Sequence, residues 1–334
     1  MRTLHHYTAA VSCRTGERHR RKRLPCQDRW LLRETPGGVI LALADGHSDA
    51  RCTRAGFGAR MACAAAADVL SDPALAPEEL GAALSRRFAK LAERHLQLRP
   101  LGAEEERALE GLPPIFAYGA TLLAARADGE SLTLLQVGDG AIHALRADGS
   151  FFPAMEEDAA NFLNATASLA DATARVRWAR YEEAPAAVLA YTDGYCHGGE
   201  RPAELLGLLA EALPETLPED ILHRGDRGDD QTVAVLRSDA LCGEAFLHGL
   251  AETRKALADE ARRRELLRTR REIRAYLETA LCLLRRREGD ERAALEERIR
   301  QGFLKLENVN RALDELLPPA EAAAAAAPCI PESA

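Results

Sequence analysis

A formal net charge of −8 on 334 residues, with a pI near 5.7, excludes a protein that grips nucleic acid through a broad basic surface, because backbone phosphates demand a local excess of Lys and Arg. With 47% hydrophobic residues the chain can bury one large core and carry an appendage. No stretch approaches the ~20 apolar residues of a membrane span, and Met1 to Gln27, rich in His and Arg, lacks a secretory apolar run, so a cytoplasmic protein with no membrane partner is expected.

Up to about residue 237 the texture changes often, with short β-rich runs, Gly/Pro punctuation and two helix-like stretches, the pattern of an α+β domain. In chain order, strands are predicted at Tyr7–Cys13, Trp30–Arg33 and Val39–Ala44. Apolar residues recurring every three or four positions then predict helices over Asp49–Leu70 and Pro77–Leu98, packed on sheet faces. Further strands are predicted at Ala120–Ala125, Ser131–Val137, Ala141–Leu145, Ala187–Tyr191 and Thr232–Leu236. The segment Phe151–Tyr181 reads as a flap whose Asn161, Asn164, Thr166 and Ser168 either hydrogen-bond substrate or cap locally.

From Asp239 the composition becomes an Ala/Leu/Arg/Glu mixture without proline until Pro318. Two stripes at helical spacing, Leu266, Ile273, Leu277, Leu281, Leu284 and Leu295, Ile299, Phe303, Leu306, Leu313, Leu317, flank Gly289-Asp290. They predict a helical hairpin or coiled-coil pair. The domains expected are therefore 1–238, a helical appendage at 239–318, and a disordered tail at 319–334.

Eight cysteines, at 13, 26, 52, 63, 196, 242, 282 and 329, include no C-x-x-C pair, so they read as reduced thiols acting as small buried hydrophobes. None sits in a C-x5-R phosphate loop.

Five Asp-Gly dipeptides separate by context. Asp128-Gly129 and Asp148-Gly149 follow Arg-Ala between strand-like runs and read as turns. By contrast, Asp45-Gly46 ends Val-Ile-Leu-Ala-Leu-Ala, Asp139-Gly140 ends Leu-Thr-Leu-Leu-Gln-Val-Gly, and Asp193-Gly194 ends Ala-Val-Leu-Ala-Tyr-Thr. Each places a carboxylate where a buried strand emerges, with no Lys or Arg in its run to offset the desolvation. A cation is the simplest compensation. Gln27-Asp28 and Asp229-Asp230-Gln231-Thr232 add acids at the mouths of two more strands, and hard oxygen donors without clustered His or Cys select magnesium or manganese over zinc.

The order Gln-Asp, apolar run to Asp-Gly, Gly-Ala-Thr, Val-Gly-Asp, Thr-Asp-Gly, Asp-Asp-x-Thr resembles the protein phosphatase 2C family of metal-dependent Ser/Thr phosphatases over roughly residues 7–237, in its bacterial Gln-Asp branch. The resemblance implies two stacked antiparallel β-sheets flanked by helices, an α-β-β-α sandwich with a binuclear centre at one end. It implies two Mn2+ or Mg2+ ions, with Asp45 bridging them, the Gly46 carbonyl and Asp193 and Asp229 as further ligands, Asp28 holding metal-bound water, and Asp139 recruiting a weaker third cation. A hydroxide between the two ions would attack phosphorus in line, with no phosphoenzyme. Arg23, five residues before Asp28, corresponds to the substrate-phosphate arginine, or belongs with Arg20, Arg21 and Lys22 to a solvated basic loop. His47 either donates a proton to the leaving alkoxide or supports the loop, and His19 is a second candidate of that kind. Where the family usually has Glu before the first acid, this chain has Gln27, and its turn after Asp45 reads Asp-Gly-His-Ser-Asp. The implied partners are a phosphoserine or phosphothreonine protein and a cognate kinase. The C-terminal helices either dock in cis or pair a homodimer, and the rival reading is a pseudophosphatase that binds phosphoprotein and uses those helices to hold a partner.

Overall fold

A computed structural model of the chain describes residues 2–4, 7–72, 74–150, 152, 166–171, 174–195, 228–238, 244–285 and 287–316. They fall in two compact units, Met1–Thr253 and Arg254–Ala334.

In the first unit, ten described strands form two five-stranded antiparallel sheets. Strands β1 (Arg2–Leu4), β2 (Tyr7–Arg14), β10 (Gln231–Ser238), β9 (Ala187–Tyr191) and β7 (Ala141–Leu145) lie in that spatial order in one sheet. The other sheet runs β3 (Arg29–Thr35), β4 (Gly38–Ala44), β5 (Leu122–Asp128), β6 (Leu132–Val137) and β8 (Arg177–Tyr181). Helices α1 (Glu17–Arg21), α2 (Ala55–Leu70), α3 (Leu80–Leu98) and α4 (Ala103–Ala108) accompany these sheets, with 3-10 turns at Pro77–Glu79 and Pro114–Tyr118.

Strand β4 explains why the layers form. Side chains alternate across a strand, and every residue from Gly38 to Ala44 is buried. Val39, Leu41 and Leu43 enter the core between the sheets, with Leu123, Ala125, Leu132 and Leu134 from the same sheet and Ala9, Val188, Ala190, Ala234 and Leu236 from the opposite one. Ile40, Ala42 and Ala44 point the other way, into a second core roofed by Ala59, Ala62, Ala66, Leu84 and Phe88 of α2 and α3. A continuous apolar run is the signature of a strand covered on both faces. The alanine-rich face of α2 lets its backbone approach closely: a Cβ added at Gly58 would lie 2.0 Å from the Tyr118 carbonyl oxygen.

The structure corrects the sequence reading in several places. Helix α2 starts at Ala55 rather than Asp49, because residues 49–54 form turns in which Asp49 caps the Arg51 backbone N–H. The stretch from Pro77 opens as a 3-10 turn before α3. Part of the expected flap, Arg177–Tyr181, is an edge strand paired with β6. Asn161 and Asn164 lie outside the described residues, as does the tail from 317. Among the described cysteines only Cys63 is buried; Cys13, Cys26 and Cys52 are partly buried and Cys282 is exposed.

The second unit holds most of α5 (Glu244–Leu284) and all of α6 (Gly289–Asp314). Leu277, Ala280 and Ile299 form its small core, flanked by Ile273, Leu284, Leu295 and Leu306, so the two helices fold back on each other. Gly302 permits this closeness, since a Cβ there would sit 2.7 Å from a Leu277 methyl. Gly289-Asp290 are the first residues of α6, and the break falls just before them. Leu281 and Phe303, members of the predicted stripes, remain exposed at 42% and 49%. Among the described residues, no helix is long and apolar enough to cross a membrane.

Candidate metal centre

Strand register gathers the acids. Arg29 pairs with Ala44, so one step beyond the ladder Asp28 faces Asp45 at the end of the β3–β4 pair. In the opposite sheet Tyr191 pairs with both Val233 and Ala141, so Asp193 falls opposite Gln231 on one side and opposite Asp139 on the other. Strands β4, β6 and β9 leave the sandwich at the end where β3 and β10 enter it, and five acids from five strands therefore meet at one rim.

A pocket of about 110 Å³ opens there, lined by Asp45, Gly46, His47, Ser48, Thr121, Asp139, Thr166, Asp193 and Asp229. The Thr121 hydroxyl accepts the Asp45 N–H at 3.1 Å, and the Thr121 N–H donates to the Asp45 carbonyl at 2.8 Å, which fixes the turn that carries Asp45 and Gly46. Thr166 donates to Asp139 Oδ2 at 2.7 Å. Ser168, expected in the flap, accepts the Ala120 N–H at 3.2 Å.

Asp28 lies beneath this pocket and is completely buried. The hydroxyls of Thr232 and Thr192, both from the opposite sheet, donate to its Oδ2 at 2.8 and 2.9 Å, while Oδ1 has no hydrogen-bond partner among the described residues. Burial raises the Asp28 carboxyl to about 6, against the opposing hydrogen bonds to the neighbouring Asp45 carboxyl and to Thr232 and Thr192. Asp45 is held well above the usual carboxylate range, first by burial and then by the charges of Asp28 and Asp193 against it. His47 is lowered by burial, which outweighs the pull of Asp139, Asp49 and Asp193, and its Nε2 is buried without a partner among the described residues.

Buried carboxyls pressed together with an unpartnered oxygen fit a divalent cation, which would replace repulsion by shared attraction and satisfy hard oxygen donors. Asp45, the Gly46 carbonyl, Asp193 and Asp229 are the groups that could hold it, with Asp139 at the exposed lip. Among the described residues no three His, Cys, Asp or Glu side chains form a preformed ligand cage, so these side chains would have to close on an ion.

A support absent from the expected set is Asp230. Nearly fully buried, it accepts the Gly16 N–H at 2.7 Å, the Gln27 N–H, and a bond from His19 Nδ1 at 2.7 Å. It thus ties the start of β10, where Asp229 sits, to both ends of the segment carrying α1 and Arg23. His19 is in this role a buried anchor, with its Nδ1 turned to Asp230. Gly16 is required by the same packing, because a Cβ there would meet the Asp229 backbone at 2.1 Å. The chain signal for this anchor was only the doubled acid of Asp229-Asp230.

Arg23 is exposed and is not among the residues lining the pocket. Its φ is 55°, a left-handed value. The N–H of Arg23 bonds the Arg20 carbonyl at 3.0 Å and that of Leu24 the His19 carbonyl at 2.9 Å, so Arg23 occupies the position after α1 where glycine normally ends a helix. Arg18, on the same helix, reaches Asp229 at 3.8 Å.

Two sheets stacked face to face and flanked by helices, with carboxylates from both at one rim, define the class of fold as an α-β-β-α sandwich with an acidic site at its edge. The sequence model of protein phosphatase 2C matches residues 15–217, and the chain belongs to that family. A search among curated proteins finds no match to it. Among solved structures it is similar to PppA, described as a key regulatory component of T6SS in Pseudomonas aeruginosa, at 21% identity and a TM-score of 0.50, covering 70% of this chain and 99% of that one. It is also similar to a bacterial serine phosphatase at 15% identity and a TM-score of 0.50, covering 72% and 99%. At these identities the likeness concerns the fold.

Proposed function

We propose that the protein hydrolyses phosphoserine and phosphothreonine side chains of another protein, using divalent cations held at the rim. The observation that carries this reading is the meeting of Asp28, Asp45, Asp139, Asp193 and Asp229 from five strands around one small polar pocket. When bound, two Mn2+ or Mg2+ ions supply a hydroxide at neutral pH and draw charge from the phosphoryl oxygens. Asp45, the Gly46 carbonyl, Asp193 and Asp229 would hold the ions. Asp28, locked by Thr192 and Thr232 and set against the Asp45 carboxyl, would order water at the rim. Asp139 takes a weaker third cation. Arg23 holds two phosphate oxygens with its guanidinium. His47, half-buried at the pocket, supports the loop beside the substrate or donates a proton to the leaving alkoxide.

The test is hydrolysis of p-nitrophenyl phosphate and of a phosphothreonine peptide with and without Mn2+. Manganese-dependent release of phosphate from both is expected. No hydrolysis of either substrate, with or without Mn2+, would favour the pseudophosphatase reading.

The proposed partners are the phosphoprotein, a kinase that phosphorylates it, and a second copy of the chain held through α5 and α6, where Leu281 and Phe303 are left exposed. Light scattering is expected to give twice the chain mass for the full protein and the chain mass for a version ending at residue 238. A full-length monomer would exclude the pairing.

A further inference from the structure

Cys13 is the penultimate residue of strand β2 and Cys26 lies two residues before Asp28, and their sulfurs are 3.6 Å apart. Each thiol also touches the other's surroundings: Cys13 Sγ is 3.8 Å from the Asp28 carbonyl oxygen, and Cys26 Sγ is 3.7 Å from that of Arg14. Both are free and only partly buried, so small oxidants reach them. The two residues close the base of the segment that carries α1, His19 and Arg23.

The frame around them belongs to the acid cluster. Cys13 pairs in register with Thr232, whose hydroxyl holds Asp28 at 2.8 Å. On the other side, the residue after Cys26 donates its N–H to Asp230, and the next is Asp28 itself. A disulfide bond is about 2.05 Å long, so closing it draws the sulfurs, and with them the side chains on either side of Asp28's frame, together by about 1.5 Å.

We propose that Cys13 and Cys26 form a reversible disulfide that displaces Asp28 and turns the phosphatase site down; the effect on activity rests on the function proposed above. The oxidant is a peroxide. One thiol's sulfur attacks a peroxide oxygen, the O–O bond breaks, and a sulfenic acid and water result. The second thiol then attacks the sulfenic sulfur, forming the S–S bond and releasing a second water. Two electrons pass from the two sulfurs to hydrogen peroxide. A thiol reductant reverses the bond by exchange.

The test uses the full reduced chain titrated with hydrogen peroxide. Digestion without reductant is expected to give a cross-linked peptide pair containing Cys13 and Cys26, lighter by two hydrogens than the separate peptides. Hydrolysis of p-nitrophenyl phosphate is expected to fall about 10-fold to 10²-fold, the scale of a displacement near 1 Å, and to return with dithiothreitol. Cys26→Ser should match the reduced wild type and stay unchanged under peroxide. The rise in melting temperature on adding Mn2+ is measured in parallel and should shrink in the cross-linked chain. If the reduced chain hydrolyses nothing, that counts against the phosphatase reading, while mass and manganese response still decide the switch. Absence of the cross-link, a cross-link that changes neither activity nor manganese response, or an equal loss in Cys26→Ser would overturn it.

Discussion

Replacing Asp45 with Asn is expected to lower manganese-dependent hydrolysis by ~10³-fold, equivalent to about 4 kcal/mol, while making the metal-free protein more stable at pH 7. The two effects have one cause. Asp45 sits against Asp28 and Asp193, and burial with these neighbouring charges raises its carboxyl well above the ordinary value. A carboxyl whose folded value is raised stabilises the fold below its unfolded value and loses that contribution as pH climbs through the folded one. With Asp28 raised to about 6, the metal-free wild type should lose stability from about pH 4 to above pH 6. Asn carries no charge, so the variant should show a shallower decline and exceed the metal-free wild type in stability at pH 7. Urea unfolding in EDTA at pH 5 and pH 7 reads the stability, and p-nitrophenyl phosphate reads the activity. Retained hydrolysis would remove Asp45 from the site, and a metal-free variant weaker than wild type at pH 7 would remove the repulsion.

Arg23→Gly is the second substitution whose stability and activity should move in opposite directions. The left-handed backbone at Arg23, φ 55°, costs a residue with a Cβ about 1–2 kcal/mol, which glycine avoids at the expense of its larger unfolded-state entropy. The variant should be more stable by about 0.5–1 kcal/mol. Its kcat/KM should drop ~10²-fold, the loss of two charge-assisted hydrogen bonds to phosphate. A basic residue with no role in binding phosphate would give the first result without the second. Thermal unfolding together with steady-state kinetics on a phosphothreonine peptide separates these outcomes.

Much of the sandwich is legible in the sequence because strands buried on both faces leave unbroken apolar runs. Val39–Ala44 and Ala187–Tyr191 are such runs, and each falls within an observed strand. Strand β8, Arg-Trp-Ala-Arg-Tyr, escapes notice because an edge strand keeps every second side chain in water and pairs on one side. In the C-terminal helices the stripes are right in type but too wide. A pair of helices buries one narrow line, so Ile299 and Leu277 are covered while Leu281 and Phe303 face solvent.

The acids that meet at the rim were marked by position alone, each at the end or mouth of a strand. The groups that hold them were not. Thr192 and Thr232 bond Asp28 across 164 and 204 residues, and His19 bonds Asp230 across 211. Nothing local in the chain announces a hydrogen bond of that span. Only the register of two sheets brings such partners together.

Crystals grown with MnCl2 and measured at the manganese absorption edge test the central claim most directly. Two anomalous peaks are predicted between the carboxylates of Asp45, Asp193 and Asp229 and the Gly46 carbonyl. A rim without manganese, in crystals that bind the ion elsewhere, would contradict the metal-centred account.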